Sequence, residues 1–171
     1  MNSTLICPSC GMQYPEDEVA WRCRCGSYLD LAFTPRFDPA CLEGPECFLR
    51  YKSVLPLSFP EKAFTFGERF TPLHSMVFYG VPVWAKMDFL LTTGSFKDRG
   101  AFMMVNKCRE LGITRIVEDS SGNSACAMAA YSALAGIEAH IFMPRGNSCL
   151  LYTSDAADDL PGGDSGGRRV I

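Results

Sequence analysis

Between Val81 and Met143 the chain alternates apolar, β-favouring runs with helical periods joined by connections of a few residues, and few folds admit that order. Val81 to Leu91 (VPVWAKMDFLL) reads as a strand or two. From Phe96 the apolar positions Phe96, Ala101, Phe102, Val105, Cys108 and Leu111 approach a helical stripe, which Gly112 ends as a C′ glycine. Arg115 to Glu118 (RIVE) is a short strand. Ala125 to Leu134 is alanine-rich and helix-forming and ends at Gly136, and Ala139 to Met143 is a further strand before Pro144. Strand, helix, strand, helix, strand in this order predicts an α/β domain built on a parallel sheet with right-handed crossovers. Ligands of such sheets bind at the carboxyl ends of the strands, where the Gly94-Ser95 turn and the Ser120–Ser124 loop are expected to fall.

Those two turns carry the chemistry. In Thr93-Gly94-Ser95-Phe96-Lys97-Asp98-Arg99-Gly100 a glycine-led turn runs into a helix that Ser95 can cap. Lys97 then lies in the first helical turn, where the positive end of the macrodipole disfavours a cation and helps keep some of the amine neutral and nucleophilic. Such an amine can form a Schiff base with an aldehyde cofactor; an exposed helix lysine with no such task has the same local pattern. Asp119-Ser120-Ser121-Gly122-Asn123-Ser124 offers backbone N–H groups and hydroxyls at a helix N-terminus, a natural anion site. Alone it also reads as an ordinary helix-capping turn. Found together at this spacing, the two segments favour an enzyme site.

From about Phe66 to Pro144 the chain resembles the fold-type II pyridoxal-phosphate (PLP) enzymes, the tryptophan synthase β family, and within it the threonine synthase group. Gly67-Glu68-Arg69-Phe70-Thr71-Pro72-Leu73 is similar to that family's G-E-x-x-T-P-L segment, and Lys86-Met87-Asp88 stands near its K-x-E position. T-G-S-F-K-D-R-G-A resembles the PLP-lysine motif, and S-S-G-N the cofactor and substrate loop. Thr92 stands where the motif often has proline, a difference that bears on turn stiffness. The resemblance implies that Lys97 bonds the cofactor's aldehyde and shuttles protons at Cα and Cβ of the substrate. It implies that Asn123 hydrogen-bonds the cofactor's ring hydroxyl, and that Ser121, Gly122 and Ser124 bind the substrate carboxylate. PLP is itself the electron sink, so the protein must supply an amine, an orienting amide and an anion cradle. Asp98 and Arg99 are assigned to helix-start electrostatics and packing.

At the N-terminus Cys7-Pro8-Ser9-Cys10-Gly11 is a C-x2-C knuckle, and Cys23-Arg24-Cys25-Gly26 follows after twelve residues as a C-x-C pair. Four thiolates at this spacing suit a structural, tetrahedral Zn²⁺, and a glycine after each pair allows the turn through which N–H groups face the sulfurs. Disulfides are the alternative, but no secretory signal precedes the cysteines, so a reducing, cytoplasmic setting is expected. Tyr14 and Trp21 are expected to form the small apolar patch of this module. A zinc-ribbon-like start ahead of a PLP domain is similar to the archaeal-type threonine synthases. Cys41 and Cys47 flank Glu43–Glu46 in a loop, Cys108 and Cys126 read as small core residues, and His74 and His140 are assigned no catalytic task.

The remaining readings bound the whole. With 171 residues, 47% of them hydrophobic, the chain can fill one core, and no apolar run reaches transmembrane length. A net charge of −3 gives no footprint for nucleic acid. Residues 31–65 read as a connector with one short helix around Cys47 to Ser53. The string Cys149-Leu150-Leu151-Tyr152-Thr153-Ser154-Asp155-Ala156-Ala157-Asp158 resembles the translation of a transposon-type sequencing adapter, so residues 149–171 are expected to be non-native. Gly162–Gly167 lacks the preceding strand of a phosphate cradle and the partners of a serine-protease nucleophile.

The expectation is thus a zinc-ribbon-like module (1–30), the connector (31–65) and the N-terminal part of a PLP-dependent catalytic domain (66–148). The resemblance implies a lyase of threonine biosynthesis, homo-oligomeric as the parent enzyme, that turns O-phosphohomoserine and water into threonine and phosphate. This chain itself is expected to be inactive, because the loop for the PLP phosphate and the partner of the pyridine nitrogen lie farther along in that family. Cysteate synthase and threonine dehydratase are related alternatives, and a zinc-ribbon binding module joined to a non-catalytic α/β domain is an alternative of another class.

Overall fold

The computed structural model describes residues 4–35, 37–42, 47–58, 62–120 and 122–143, together with a two-residue strand at 169–170. Ser121, the 43–46 loop and the rest of the 149–171 tail lie outside the described residues.

Three short strands, β1 (Thr4–Ile6), β2 (Gln13–Pro15) and β3 (Asp30–Ala32), make an antiparallel sheet in the order β2-β1-β3. Gly11 (φ +73°) and Gly26 (φ +90°) turn the chain after each cysteine pair, in a region that L side chains rarely occupy. Cys7, Tyr14 and Cys23 are buried together, with Leu5, Ala20 and Leu29 packed around them. Trp21 corrects the expectation: its side chain is 81% exposed. A module of this size has one small interior, which the cysteines and Tyr14 fill, leaving the indole outside with the Arg22 guanidinium 4.3 Å from its ring.

The connector does more than connect. Its 3₁₀ helices span Pro39–Cys41, where Asp38 accepts the Ala40 N–H at 2.9 Å, and Phe48–Val54, around the expected short helix. Phe48, Leu49, Tyr51, Leu55 and Leu57 pack on the main core, with Phe48 edge-on to Phe102 at 4.9 Å.

The region before the lysine turn departs from expectation. β4 (Leu73–Phe78) and β5 (Val81–Lys86) form a separate antiparallel hairpin, so the 81–91 run does not begin the parallel sheet. The loop explains this: Tyr79 (φ +47°) and Gly80 (φ +79°) both lie in the left-handed region, the two-residue geometry whose twist returns a strand alongside its predecessor. Beyond Lys86 the chain tightens into a 3₁₀ turn, Asp88–Leu90. The Gly94-Ser95 turn therefore follows that 3₁₀ segment instead of the end of a sheet strand. Leu73, Val77, Phe78, Tyr79, Val81 and Trp84 all stand exposed on the hairpin.

From Lys97 onward the order is as expected. Helix α1 (Lys97–Glu110) leads to β6 (Arg115–Asp119), helix α2 (Asn123–Ala135) and β7 (Glu138–Met143). β6 and β7 pair in parallel, from Arg115↔Glu138 to Asp119↔Phe142, and β8 (Arg169–Val170) adds antiparallel to β7. The expected parallel sheet is thus realised over one strand pair. Gly112 (φ +70°) and Gly136 (φ +66°) close the two helices as read. The helices pack on one another through Ala101, Phe102 and Val105 of α1 and Ala127, Met128, Tyr131 and Ala135 of α2, joined by Leu55 and Ile137. Burying such side chains contributes roughly 1.5–3 kcal/mol for each large one.

Candidate functional site

The lysine turn is held from beneath. Asp98, fully buried in the first turn of α1, accepts the Thr93 backbone N–H at 2.8 Å and the Thr93 hydroxyl. Gly94 (φ +79°) donates its N–H to the Leu91 carbonyl at 2.9 Å. Ser95 is buried, and its hydroxyl accepts the Lys97 N–H at 3.3 Å, the capping role expected of it, although Phe96 is the residue at the helix boundary. Lys97 itself is exposed. Among the described residues its amine touches only the neighbouring Phe96 ring, 5.0 Å away, so the amine is not committed to a carboxylate.

The second loop leaves the carboxyl end of β6, where the sheet rule puts a ligand. The Gly122 N–H is donated to the Ser120 hydroxyl at 3.3 Å, and α2 begins at Asn123. Asn123 is exposed, with no hydrogen-bond partner for its amide among the described residues. Ser124 differs in what it offers: its hydroxyl donates to Glu118 at 2.7 Å, so a further anion would meet its backbone N–H and not its O–H. The packing of α1 on α2 brings the elements bearing Lys97 and Asn123 together.

Further polar contacts tie the segment before the lysine turn to the two helices, and their partners lie far apart in the sequence. Arg99 donates through Nη2 to Asp88 at 2.9 Å and through Nε at 3.1 Å, a forked pair that the Thr71 hydroxyl joins by donating to the same carboxylate. The Arg99 guanidinium, with the Thr71 hydroxyl, lowers the Asp88 carboxyl to about 2 against the cost of burial. The Lys86 amine is donated to the Thr71 carbonyl. Glu68, buried, accepts from the Thr65 hydroxyl, the Phe66 N–H (3.0 Å) and the Tyr131 hydroxyl of α2. Burial and the bond to Glu68 push the Tyr131 hydroxyl well up, keeping its proton for donation. Asn106 of α1 accepts the Phe64 N–H at 2.7 Å and donates to the Phe64 carbonyl at 2.9 Å. The G-E-R-F-T-P-L segment is therefore a strap tied to both helices. It lines a recess of about 300 Å³ with residues 90–92, separate from Lys97 and Asn123.

At the N-terminus the structure gathers the four expected cysteines, whose sulfurs all lie within 4.8 Å of one another. Cys7 and Cys25 sulfurs are 3.6 Å apart, and Cys10 and Cys23 sulfurs 3.5 Å. A disulfide needs about 2.05 Å. Thiolates around one tetrahedral zinc, at about 2.3 Å from it, sit about 3.8 Å from each other. The donor set and spacing fit a soft tetrahedral cation. Backbone N–H groups of Ser9 and Cys10 face the Cys7 sulfur, and those of Met12, Cys25 and Ser27 face Cys10, Cys23 and Cys25 respectively. The Tyr14 hydroxyl at 3.2 Å, aided by the Cys25 N–H, lowers the Cys23 thiol to about 6.

Residues 64–157, more than half of the chain, match the pyridoxal-phosphate dependent enzyme family. The chain belongs to that family. Curated proteins named threonine synthase are among its relatives. That of Methanosarcina acetivorans is 32% identical over 157 residues, covering 85% of this chain and 38% of the relative. That of Methanocaldococcus jannaschii is 30% identical over 155 residues, covering 84% and 38%, and that of Halalkalibacterium halodurans is 38% identical over 104 residues, covering 58% and 29%. The chain thus spans less than two fifths of the length of these relatives. No solved structure matches it. Among the described residues no helix is long and apolar enough to cross a membrane.

Proposed function

We propose that this chain is the N-terminal portion of a PLP-dependent, threonine synthase-like lyase whose reaction is O-phosphohomoserine and water to threonine and phosphate. The observation that carries the reading is Lys97: an uncommitted amine at the first position of a helix whose approach is clamped by a buried carboxylate, inside a segment that matches the PLP family. The names of the relatives support the reaction, and the cysteine module ahead of the domain supports the same group.

The residues present fit the cofactor: among the described residues the Lys97 amine, the Asn123 amide and the first N–H groups of α2 have no hydrogen-bond partner. PLP, when bound, supplies the sink for electrons released at the substrate's Cα. Lys97 holds the cofactor through its amine and then takes up and returns protons at Cα and Cβ. Asn123, at the first position of α2, donates from its amide to the cofactor's ring hydroxyl and fixes the ring's orientation. Gly122, Ser121 and Ser124 bind the substrate carboxylate, Ser124 through its N–H because its hydroxyl is donated to Glu118. Asp98 and Arg99 take no part in the chemistry; they set the turn and dock the strap.

The cysteines Cys7, Cys10, Cys23 and Cys25 hold a structural Zn²⁺ in this reading. Residues 1–30 form its module, 31–65 the connector, 66–148 the start of the catalytic domain and 149–171 a non-native tail. The test is the visible absorbance of PLP mixed with the full-length protein that carries this segment. A band present in the parent and absent from Lys97→Ala is expected; a full-length protein with no lysine-dependent band overturns the assignment.

A further inference from the structure

We propose that Tyr14 is the positioning residue of the four-cysteine metal centre, its phenol donating to the Cys23 sulfur and fixing that ligand's place and electron density. The proposal rests on the zinc reading of Cys7, Cys10, Cys23 and Cys25.

Tyr14 is the middle residue of β2, paired with Leu5 of β1, and it is 4% exposed. A buried phenol needs a partner for its proton and one for its oxygen. The oxygen is satisfied by the Arg24 backbone N–H, donated at 2.8 Å from within the C-x-C loop. That bond ties the ring to the turn carrying Cys23 and Cys25, and turns the proton toward the sulfurs. Two acceptors lie 3.2 Å from the hydroxyl, the Cys23 Sγ and the Met12 Sδ. A thioether is a weak acceptor, whereas a metal-bound thiolate keeps lone pairs and negative charge, so the proton goes to Cys23.

The charge balance gives the bond a purpose. Four thiolates around one Zn²⁺ leave a double negative charge in a small interior, and hydrogen bonds to sulfur are what a fold has to spread it. The backbone donors of the two knuckles do part of this. Among the described residues Tyr14 is the one side chain besides the cysteines that donates to the cluster. The knuckle motif therefore extends to a residue outside both cysteine pairs.

The experiment uses the whole chain and Tyr14→Phe, which keeps the ring. Zn²⁺ affinity is read by competition with a chromophoric chelator, and the thiolate-to-metal charge-transfer band is read after Co²⁺ substitution. Loss of an outer-shell partner weakens metal binding about 10–100-fold. Tyr14→Phe is expected to bind Zn²⁺ about tenfold more weakly. Its Co²⁺ band is expected to move to lower energy, because a sulfur without its donor gives up electron density more easily. A merely structural role would leave that band where it is. Unchanged affinity and band position in Tyr14→Phe overturn the Tyr14 proposal while leaving the zinc reading intact. Failure of the parent chain to take up either metal overturns both.

Discussion

Replacing Asp98 with alanine should loosen the turn that presents Lys97 before it affects anything else. The carboxylate is fully buried and holds two donors of one residue, the N–H and the hydroxyl of Thr93. Hydrogen bonds to a charged acceptor contribute about 1.5–3 kcal/mol each, and removing the carboxylate also recovers part of its desolvation cost. The expected net loss is about 2–3 kcal/mol, or roughly 5–10 °C in Tm for a chain of this size. Asp98→Asn keeps an acceptor for the Thr93 N–H and should lose about 1 kcal/mol. Urea titration of parent and variants gives the global figure, and hydrogen exchange at the Thr93 amide gives the local one. The amide should exchange faster in Asp98→Ala than in Asp98→Asn, with amides in the middle of α2 less affected. A loss below about 0.5 kcal/mol, together with an unchanged Thr93 exchange rate, would refute the clamp.

Two other outcomes follow from the buried polar network. Because Arg99 depresses the folded-state Asp88 carboxyl to about 2, below its ordinary 3.8, the stability it contributes is full above pH 3.8 and is lost as pH falls toward 2. Asp88→Asn should therefore cost on the order of 1–2 kcal/mol near neutrality, allowing for partial solvent screening, and the gap should shrink on acidification; denaturant titrations across that range check it, and a gap that stays constant would sink the assignment. Tyr131→Phe removes one of the three donors from the Glu68 carboxylate and should cost about 1–3 kcal/mol by thermal or urea unfolding, while a neutral effect would mean that the strap is held elsewhere.

What the sequence made legible follows the range of the interactions involved. Gly112 and Gly136 were readable as helix ends because a C′ glycine is a local requirement of backbone geometry, met within one residue. The α1–β6–α2–β7 order was readable because its periods are contiguous. The 81–91 run was apolar enough for a strand, but apolar content does not name the partner strand, and the two-residue Tyr79-Gly80 loop carried that information. Hydrophobicity alone places Trp21 with Tyr14 in the module's small apolar patch, but it says nothing of how much interior a small module has. The partners of Glu68 and Asn106 were out of reach: Tyr131 lies 63 residues from Glu68, and Phe64 lies 42 from Asn106. Glu118 was nearer, six residues before Ser124, yet only the folded loop shows that it takes the serine's proton.

The Asn106 latch has a consequence for which substitutions the chain tolerates. Its two bonds to position 64 go to main-chain atoms, so the latch does not discriminate among side chains there. Nineteen of the twenty amino acids present the same N–H and C=O to the amide; only proline, which has no N–H, breaks the pairing. Variation at position 64 is then filtered by the core packing of the Phe64 ring and by the Arg109 guanidinium 5.5 Å from it, while the path of the strap is specified from the helix. The tolerance is one-sided: at position 106 an amide of this length is what matches a peptide edge, so drift is open at one end of the bond and closed at the other.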